Sequence, residues 1–350
     1  ELLNSLKTFK SGYEIELTSF IWQTIEREKL SKDKVTILNT SSNINIELLF
    51  DNSRELLVNM HRLNDIRKIN QHLLTVYSKL EIGGLFIGNF IPLEKIKNHL
   101  RSQMPHFLYS IVLPFYFIFH RVFPKLAVTK QIYFIITRGR NRVLSNSEVL
   151  GRLAFCGYEI LNEIDIEDRF YFVCKKKKTV SDEESPSYGP IVRLKRIGYK
   201  GEPLYIYKLR TMYPYSEFIQ GDIYEKYHLD KSGKMKGDYR ITSWGKIFRK
   251  YFIDEIPQIY NWIKGDIKLV GVRALSEHYF GLYPSDLQQK RTNFKPGLIP
   301  PYYADLPKSF DEIIESERNY LNQKETSPII TDIQYFLKAM SNIFLGARSK

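Results

Sequence analysis

The sequence predicts two folded parts in tandem: an α/β domain over residues 1–175 and a mixed α+β, helix-rich domain over residues 189–350, joined by a linker at 176–188. Three observations predict this. Short apolar runs in the first half alternate with a helical pattern, which is the signature of a sheet covered by helices. The stretch Lys175 to Pro190 joins a run of lysines to Thr-Val-Ser-Asp-Glu-Glu-Ser-Pro-Ser without any apolar period, so it reads as a connection rather than an element. At 350 residues and 41.4 kDa the chain is long enough for each half to bury its own core.

In chain order, Val35–Leu38 and Gly84–Gly88 read as short buried strands, with a helical pattern from Asn59 to Leu80 between them and a late strand at Phe170–Cys174. The stretch Met104–Phe119 carries no formal charge but is shorter than the roughly 20 apolar residues a spanning helix needs. Arg101 precedes it and Arg121 and Lys125 follow, so both ends favour the same side of a membrane. This predicts a re-entrant or interfacial helix at 104–123, bent at Pro114, with Ser110 bonding the carbonyl that the proline frees; a buried core helix is the competing reading. In the second half, Lys208 and Arg210 alternate with Tyr207 and Leu209 on a strand and project to one face. A helix from about Trp244 is expected to kink or restart at Pro257, and Ile329–Phe344 closes the chain as an amphipathic helix suited to a membrane surface.

The net charge of +13 calls for an anionic partner, and nucleic acid, anionic lipid or a nucleotide diphosphate would each satisfy it. The cations are dispersed rather than gathered on one helix, which argues against nucleic acid. With 43% hydrophobic and 14% aromatic residues the chain is not a disordered tail. Cys156 and Cys174 are too few for a disulfide framework, and no basic-then-apolar leader follows Glu1; we expect a reducing, cytosolic setting and read the chain as a trimmed or partial one.

The chemistry concentrates in Lys250-Tyr-Phe-Ile-Asp-Glu-Ile-Pro-Gln-Ile-Tyr260, where adjacent carboxylates stand before a proline. Asp254 could serve simply as an N-cap, or the pair could sit at a helix N-terminus whose dipole keeps them ionised for a metal or for attack on phosphorus. Around it lie Gly189-Pro-Ile-Val-Arg-Leu-Lys-Arg-Ile-Gly198, Tyr205-Ile-Tyr-Lys-Leu-Arg-Thr-Met212, Asp238-Tyr-Arg-Ile-Thr-Ser-Trp-Gly-Lys-Ile-Phe-Arg-Lys250, Gly265-Asp-Ile-Lys-Leu-Val-Gly-Val-Arg273 and Phe294-Lys-Pro-Gly297. In this order they resemble the bacterial sugar transferase family, the monotopic polyprenyl-phosphate phosphoglycosyl transferases, over about Ser187 to Phe344.

The resemblance implies a UDP-sugar donor, a polyprenyl (undecaprenyl) phosphate acceptor, membrane lipid as a partner, Mg²⁺ as cofactor and the cytoplasmic face of the inner membrane as the place of work. By the same resemblance Asp254 is the nucleophile and touches Mg²⁺, and Glu255 is its partner. Arg273, Lys208, Arg210, Arg249, Arg291 and Lys295 are candidate phosphate ligands, with Asp238 and Arg240 behind them as a second tier or, equally, as a structural clamp. The family's Pro-Arg-Pro reads Val272-Arg273-Ala274 here, and its segment after Gly297 is replaced by Leu298-Ile-Pro-Pro-Tyr-Tyr303. Family members usually place the membrane helix directly before the Gly-Pro motif, whereas here some 70 residues intervene. Leu80–Ile87 and Leu153–Ile160 resemble the back half of a class I methyltransferase-like domain, but no Gly-rich strand-to-helix turn accompanies them, so no binding of S-adenosylmethionine is expected. A non-catalytic membrane-associated scaffold is the rival to the enzyme.

Overall fold

The computed structural model describes residues 12–177, 189–219 and 239–344. It divides into two compact units, Glu1–Tyr188 with Tyr213–Gln220, and Gly189–Met212 with Gly221–Lys350. Most of the expected linker, residues 178–188, lies outside the described residues.

The first unit is built on α1 (Gly12–Arg27), β1 (Val35–Leu38), β2 (Arg54–Asn59), α2 (Ile69–Lys79), β3 (Leu80–Phe90), α3 (Leu93–Gln103), α4 (His106–Phe117), α5 (Ala127–Thr137), α6 (Asn146–Phe155), β4 (Tyr158–Ile166) and β5 (Arg169–Lys176). Its sheet runs β1-β2-β3-β5-β4. The first three strands are parallel, and β5 enters antiparallel between β3 and β4. Leu56, Val58, Leu85 and Ile87 alternate onto one face, where Leu17, Phe20, Ile21 and Ile25 of α1 cover them. The helix expected over Asn59 to Leu80 spans only Ile69–Lys79. The rest of that stretch is the end of β2 at Asn59 and a loop with a 3-10 turn at Leu63–Asp65; β2 itself was missed because Leu56-Leu57-Val58 is too short to separate strand from helix by periodicity.

The helical run His106–Lys125 is 20 residues long, almost wholly unburied, and long and apolar enough by length and composition to cross a membrane. It continues past Phe117 through a π-helical turn, Ile118–Val122, and a 3-10 turn, Phe123–Lys125, which the uncharged stretch alone did not reveal. Two expectations are corrected here. The Ser110 hydroxyl donates to the His106 carbonyl at 2.9 Å rather than to the carbonyl that Pro114 frees, which is Ser110's own. Arg121 is no exposed flank: it is buried, pairs with Glu148 at 2.6 Å, and donates to the Val143 carbonyl at 2.6 Å.

Glu148 also pairs with Arg152 at 2.9 Å, and these two arginines cover Tyr213 and Tyr215 with their guanidinium planes. The stretch from Tyr213 to Ile219 therefore packs as part of the first unit although it follows the Arg210-Thr211-Met212 motif. Gly151 makes this approach possible, since a Cβ there would stand 2.1 Å from the Tyr215 carbonyl oxygen.

The second unit contains the hairpin β6 (Ile191–Ile197) and β7 (Pro203–Leu209), α7 (Ser243–Lys250), α8 (Gln258–Ile263), β8 (Lys268–Val270), α9 (Glu277–Gly281), α10 (Ser285–Thr292), β9 (Gly297–Ile299), α11 (Tyr302–Asp305), α12 (Phe310–Thr326) and α13 (Pro328–Phe344). Val270, Val272, Leu287, Tyr320, Leu321, Tyr335 and Ala339 form its core. The outward stripe Ile329, Ile333 and Leu337 keeps α13 amphipathic as expected.

Candidate active site

The carboxylate pair is positioned by a break in the chain. Thr242 caps α7 by accepting from the Gly245 N–H at 3.0 Å, and its own hydroxyl donates to the Thr211 carbonyl at 3.0 Å, which ties the helix start to the end of β7. At the other end Phe252 takes a left-handed backbone at φ 56° with its ring 4.8 Å from that of Tyr303. An L residue held there costs on the order of 1 kcal/mol, which the ring packing offsets. The helix thus ends well before Pro257, not at it. Asp254 and Glu255 occupy a 3-10 turn, Ile253–Glu255, and α8 restarts after Pro257.

Because α8 is only six residues long, its dipole is weak, and the electrostatics differ from the expected helix-terminus picture. Asp254 is buried, and burial raises its carboxyl pKa above the ordinary value. Lys208 pulls it back down, the Glu255 charge pushes it up, and Arg249 pulls it down. Glu255 is engaged by Lys208 at 2.5 Å, with both side chains largely buried. Burial in turn lowers the Lys208 pKa, although the Glu255 charge holds it up.

The hairpin register shows which strand residues share the Lys208 face. Val192 pairs with Lys208, Leu194 with Ile206, and Arg196 with Leu204, so these six project together. Arg196 was missed in the sequence: it is one of three cations in Arg193-Leu-Lys-Arg196, and only the register distinguishes it. Burial and the charge of Arg273 both lower its pKa, so the two guanidinium groups share one field. Arg273 is exposed with its guanidinium 5.9 Å from the Tyr302 ring, and Tyr302 and Glu255 keep it charged.

The remaining candidates divide. Arg249 Nε donates to the Thr211 hydroxyl at 2.9 Å and stays within the field of Asp254. Arg210 Nε donates to the Gly189 carbonyl at 2.9 Å, closing the mouth of the hairpin. Arg291 is corrected from phosphate ligand to support: it is buried against Glu317 in an ion pair and donates to the Arg273 carbonyl at 2.6 Å. Lys295 Nζ donates to the Gly265 carbonyl at 2.9 Å, fixing that turn. Arg240 is buried, and Asp238 lies outside the described residues.

Residues 182–346 match the bacterial sugar transferase family. Over this stretch, just under half of its length, the chain is similar to that family. Galactosyl transferase CpsE of Streptococcus agalactiae serotype III is 35% identical over 161 residues, covering 44% of this chain and 34% of that protein. The UDP-N-acetylgalactosamine-undecaprenyl-phosphate N-acetylgalactosaminephosphotransferase of Aeromonas hydrophila is 38% identical over 172 residues, 47% of this chain and 37% of that protein. The undecaprenyl-phosphate galactose phosphotransferase of Salmonella typhimurium is 35% identical over 97 residues, 26% of this chain and 20% of that protein. The chain thus spans less than half the length of these curated relatives. An O-methyltransferase family structure from Burkholderia thailandensis is 11% identical, with a TM-score of 0.23 over 41% of this chain and 35% of that one, a likeness too slight to carry an argument.

In the second unit the Arg273 loop is fixed by two glycines. A Cβ on Gly297 would stand 2.1 Å from the Gly271 nitrogen, and one on Gly271 would stand 2.8 Å from the Gly297 nitrogen, so β8 and β9 close only without side chains. The Val272 carbonyl accepts from the Gly297 N–H at 2.9 Å beside it. These contacts supply rigidity that the missing prolines around Arg273 would otherwise give.

Asn261 was also missed in the sequence. Fully buried, it accepts from the Tyr207 N–H at 3.0 Å and donates to the Tyr205 carbonyl at 2.8 Å, so α8 satisfies the open edge of the strand that carries Lys208. Asn261→Ala leaves both backbone groups unpaired and is expected to cost about 3 kcal/mol in thermal unfolding. Asn261→Asp should not rescue it, since the new carboxylate would face Asp266, whose oxygen lies 3.1 Å from the Asn261 amide nitrogen. An alanine variant that melts with the parent would show that the staple does not hold β7.

No cluster of three or more His, Cys, Asp or Glu poised for a metal occurs among the described residues. Asp254 beside Glu255 fits a different habit, that of Mg²⁺, which uses one or two carboxylates and completes its shell with water and substrate phosphates. A carboxylate whose pKa is raised by burial gains most from such a cation.

Proposed function

We propose that the chain transfers a sugar 1-phosphate from a UDP-sugar to a polyprenyl phosphate, in two steps through Asp254, and so begins glycan assembly on a lipid carrier. In the first step a carboxylate oxygen of Asp254 forms a bond to the sugar-bearing phosphorus, the bond from that phosphorus to the bridging oxygen breaks, and UMP leaves with the electron pair. In the second, an oxygen of the lipid phosphate attacks the same phosphorus and Asp254 is released as carboxylate. Lys208, Arg196 and Arg273 supply positive charge for the diphosphate, and Glu255 fixes Lys208. Asp254 would hold Mg²⁺, which when bound neutralises the diphosphate.

The observation that carries this reading is Asp254 itself, buried beside Glu255 and within the fields of Lys208 and Arg249. A scaffold has no use for a carboxylate whose burial raises the cost of ionising it. The names of the relatives from Salmonella typhimurium and Aeromonas hydrophila support both substrates. Incubating the detergent-solubilised chain with polyprenyl phosphate and a panel of UDP-sugars tests it: UMP should be released from at least one sugar nucleotide, and release from none would overturn it.

The same geometry gives a pH dependence. Asp254 must be ionised, so kcat/KM is lost as pH falls through its raised pKa, above the ordinary aspartate value of about 3.9. Lys208 must be charged, so kcat/KM is lost again as pH rises through its lowered pKa, below the ordinary lysine value of about 10.4. Initial rates of UMP release at low donor concentration should trace this narrowed bell. An acid limb at or below about pH 3.9 would contradict the assignment.

For the first unit, the parallel strands followed by an inserted antiparallel one support the partial methyltransferase-like reading. We place the chain at the cytoplasmic face of a membrane, with the helical run from His106 interfacial or re-entrant. Arg121 ties its far end into the buried Glu148 pair, so crossing a bilayer whole would tear that pair open.

A further inference from the structure

The apolar surface of the first unit extends beyond the helix that the sequence singles out. On α4, Phe107, Ile111, Phe115 and, just after it, Ile118 are exposed at helical spacing. On α5, Val128, Ile132, Ile135 and Ile136 form a second exposed stripe, Ile135 at 78%. The inner face of α5 is packed: Tyr133 and Phe134 are buried, and the Phe119 and Tyr133 rings meet at 5.4 Å, which ties the two helices together. A soluble helix turns such a stripe inward. This pair turns it outward.

Along the sequence the charges between and beside the stripes are of one sign. From Lys95 to Ser147 the sequence holds nine lysines and arginines and no aspartate or glutamate. Arg101, Lys130, Arg138 and Arg140 are exposed, with no carboxylate at ion-pair distance among the described residues. A second copy of the chain seated two-fold on this face would set like charges opposite one another. An anionic bilayer surface offers acyl chains to the stripes and headgroup phosphates to the rim.

We propose that α4 and α5 together form a two-helix wedge that lies flat in the surface of an anionic leaflet, with the α5 stripe contributing as much as α4 and the rim cations selecting anionic lipid. This deepens the membrane reading above and rests on it, but not on the transferase chemistry. The stripes run along the helices rather than across their ends, so the axes lie parallel to the membrane plane.

Vesicle flotation of the full chain tests it, using phosphatidylcholine alone and phosphatidylcholine mixed with phosphatidylglycerol. The parent should bind the mixed vesicles at least about tenfold more tightly, at roughly fivefold per rim cation engaged. The I132S/I135S/I136S triple variant changes only exposed side chains and should lose most binding, while K130Q/R138Q should lose most of the preference for the mixed vesicles. UMP release in detergent, measured on the same samples, should be unchanged, so a failure here is distinguishable from a failure of the transferase reading. Equal affinity of the parent for both vesicle types would overturn the proposal. So would a triple variant that binds as the parent does, leaving α4 as sole anchor, or a parent dimer dissolved by the triple variant, which would assign the face to a second copy.

Discussion

Replacing Asp254 by asparagine is expected to lower UMP release by more than about 10³-fold while leaving the unfolding temperature at neutral pH equal to or above that of the parent. The activity half follows from the proposed attack by the Asp254 carboxylate, which an amide cannot make. The stability half follows from linkage. Burial raises the carboxyl pKa in the folded state, so the folded state holds its proton more tightly than the unfolded chain. Stability therefore falls as pH rises from the unfolded value through the folded one, and at neutral pH the full cost is present. Asparagine has no proton to lose and escapes that cost. An asparagine variant with normal turnover would remove Asp254 from the chemistry, and one that melts well below the parent would show that the carboxylate holds the fold.

Gly297→Ala should be the most damaging change that alters no charge. Its Cβ would meet only backbone, the Gly271 nitrogen at 2.1 Å, the Val270 carbonyl carbon at 2.5 Å and the Gly271 Cα at 2.6 Å, and backbone in a paired strand cannot swing aside. Separating β8 from β9 is expected to cost about 3 kcal/mol and to lower the unfolding temperature of the second unit by about 10 °C. Because the same crossing sets the Arg273 loop, UMP release should fall about 10²-fold in the fraction that stays folded. Gly281 is the control: a Cβ there, on α9, would meet nothing within 4 Å, and alanine should be neutral or mildly stabilising. Calorimetry of the two variants side by side checks both, and a Gly297→Ala protein that melts like Gly281→Ala would contradict the close crossing of β8 and β9.

What could be read from the sequence was whatever a local pattern fixes. The strands at Val35–Leu38 and within Leu80–Phe90 and Arg169–Lys176 announce themselves by apolar runs, and the Asp254-Glu255 pair by its motif company. The parts that escaped depend on pairing across the chain. Arg196 joins the site through its partner on β7, Asn261 through an open strand edge, and Arg291 leaves the ligand set because Glu317 waits for it in the core. The break at Phe252 escaped for another reason: a left-handed phenylalanine has no local signature, whereas Pro257 has an obvious one. The α5 stripe was not read at all, because apolar composition does not separate a core helix from a surface one; only exposure does.

The most direct test is to incubate the chain with Mg²⁺ and the UDP-sugar that supports UMP release, without lipid acceptor, then quench in acid and measure the intact mass. A gain of one sugar phosphate, mapped to the peptide holding Asp254 and absent from Asp254→Asn, is the predicted result. UMP release that needs the acceptor in every turnover, with no mass gain on any peptide, would contradict attack by Asp254.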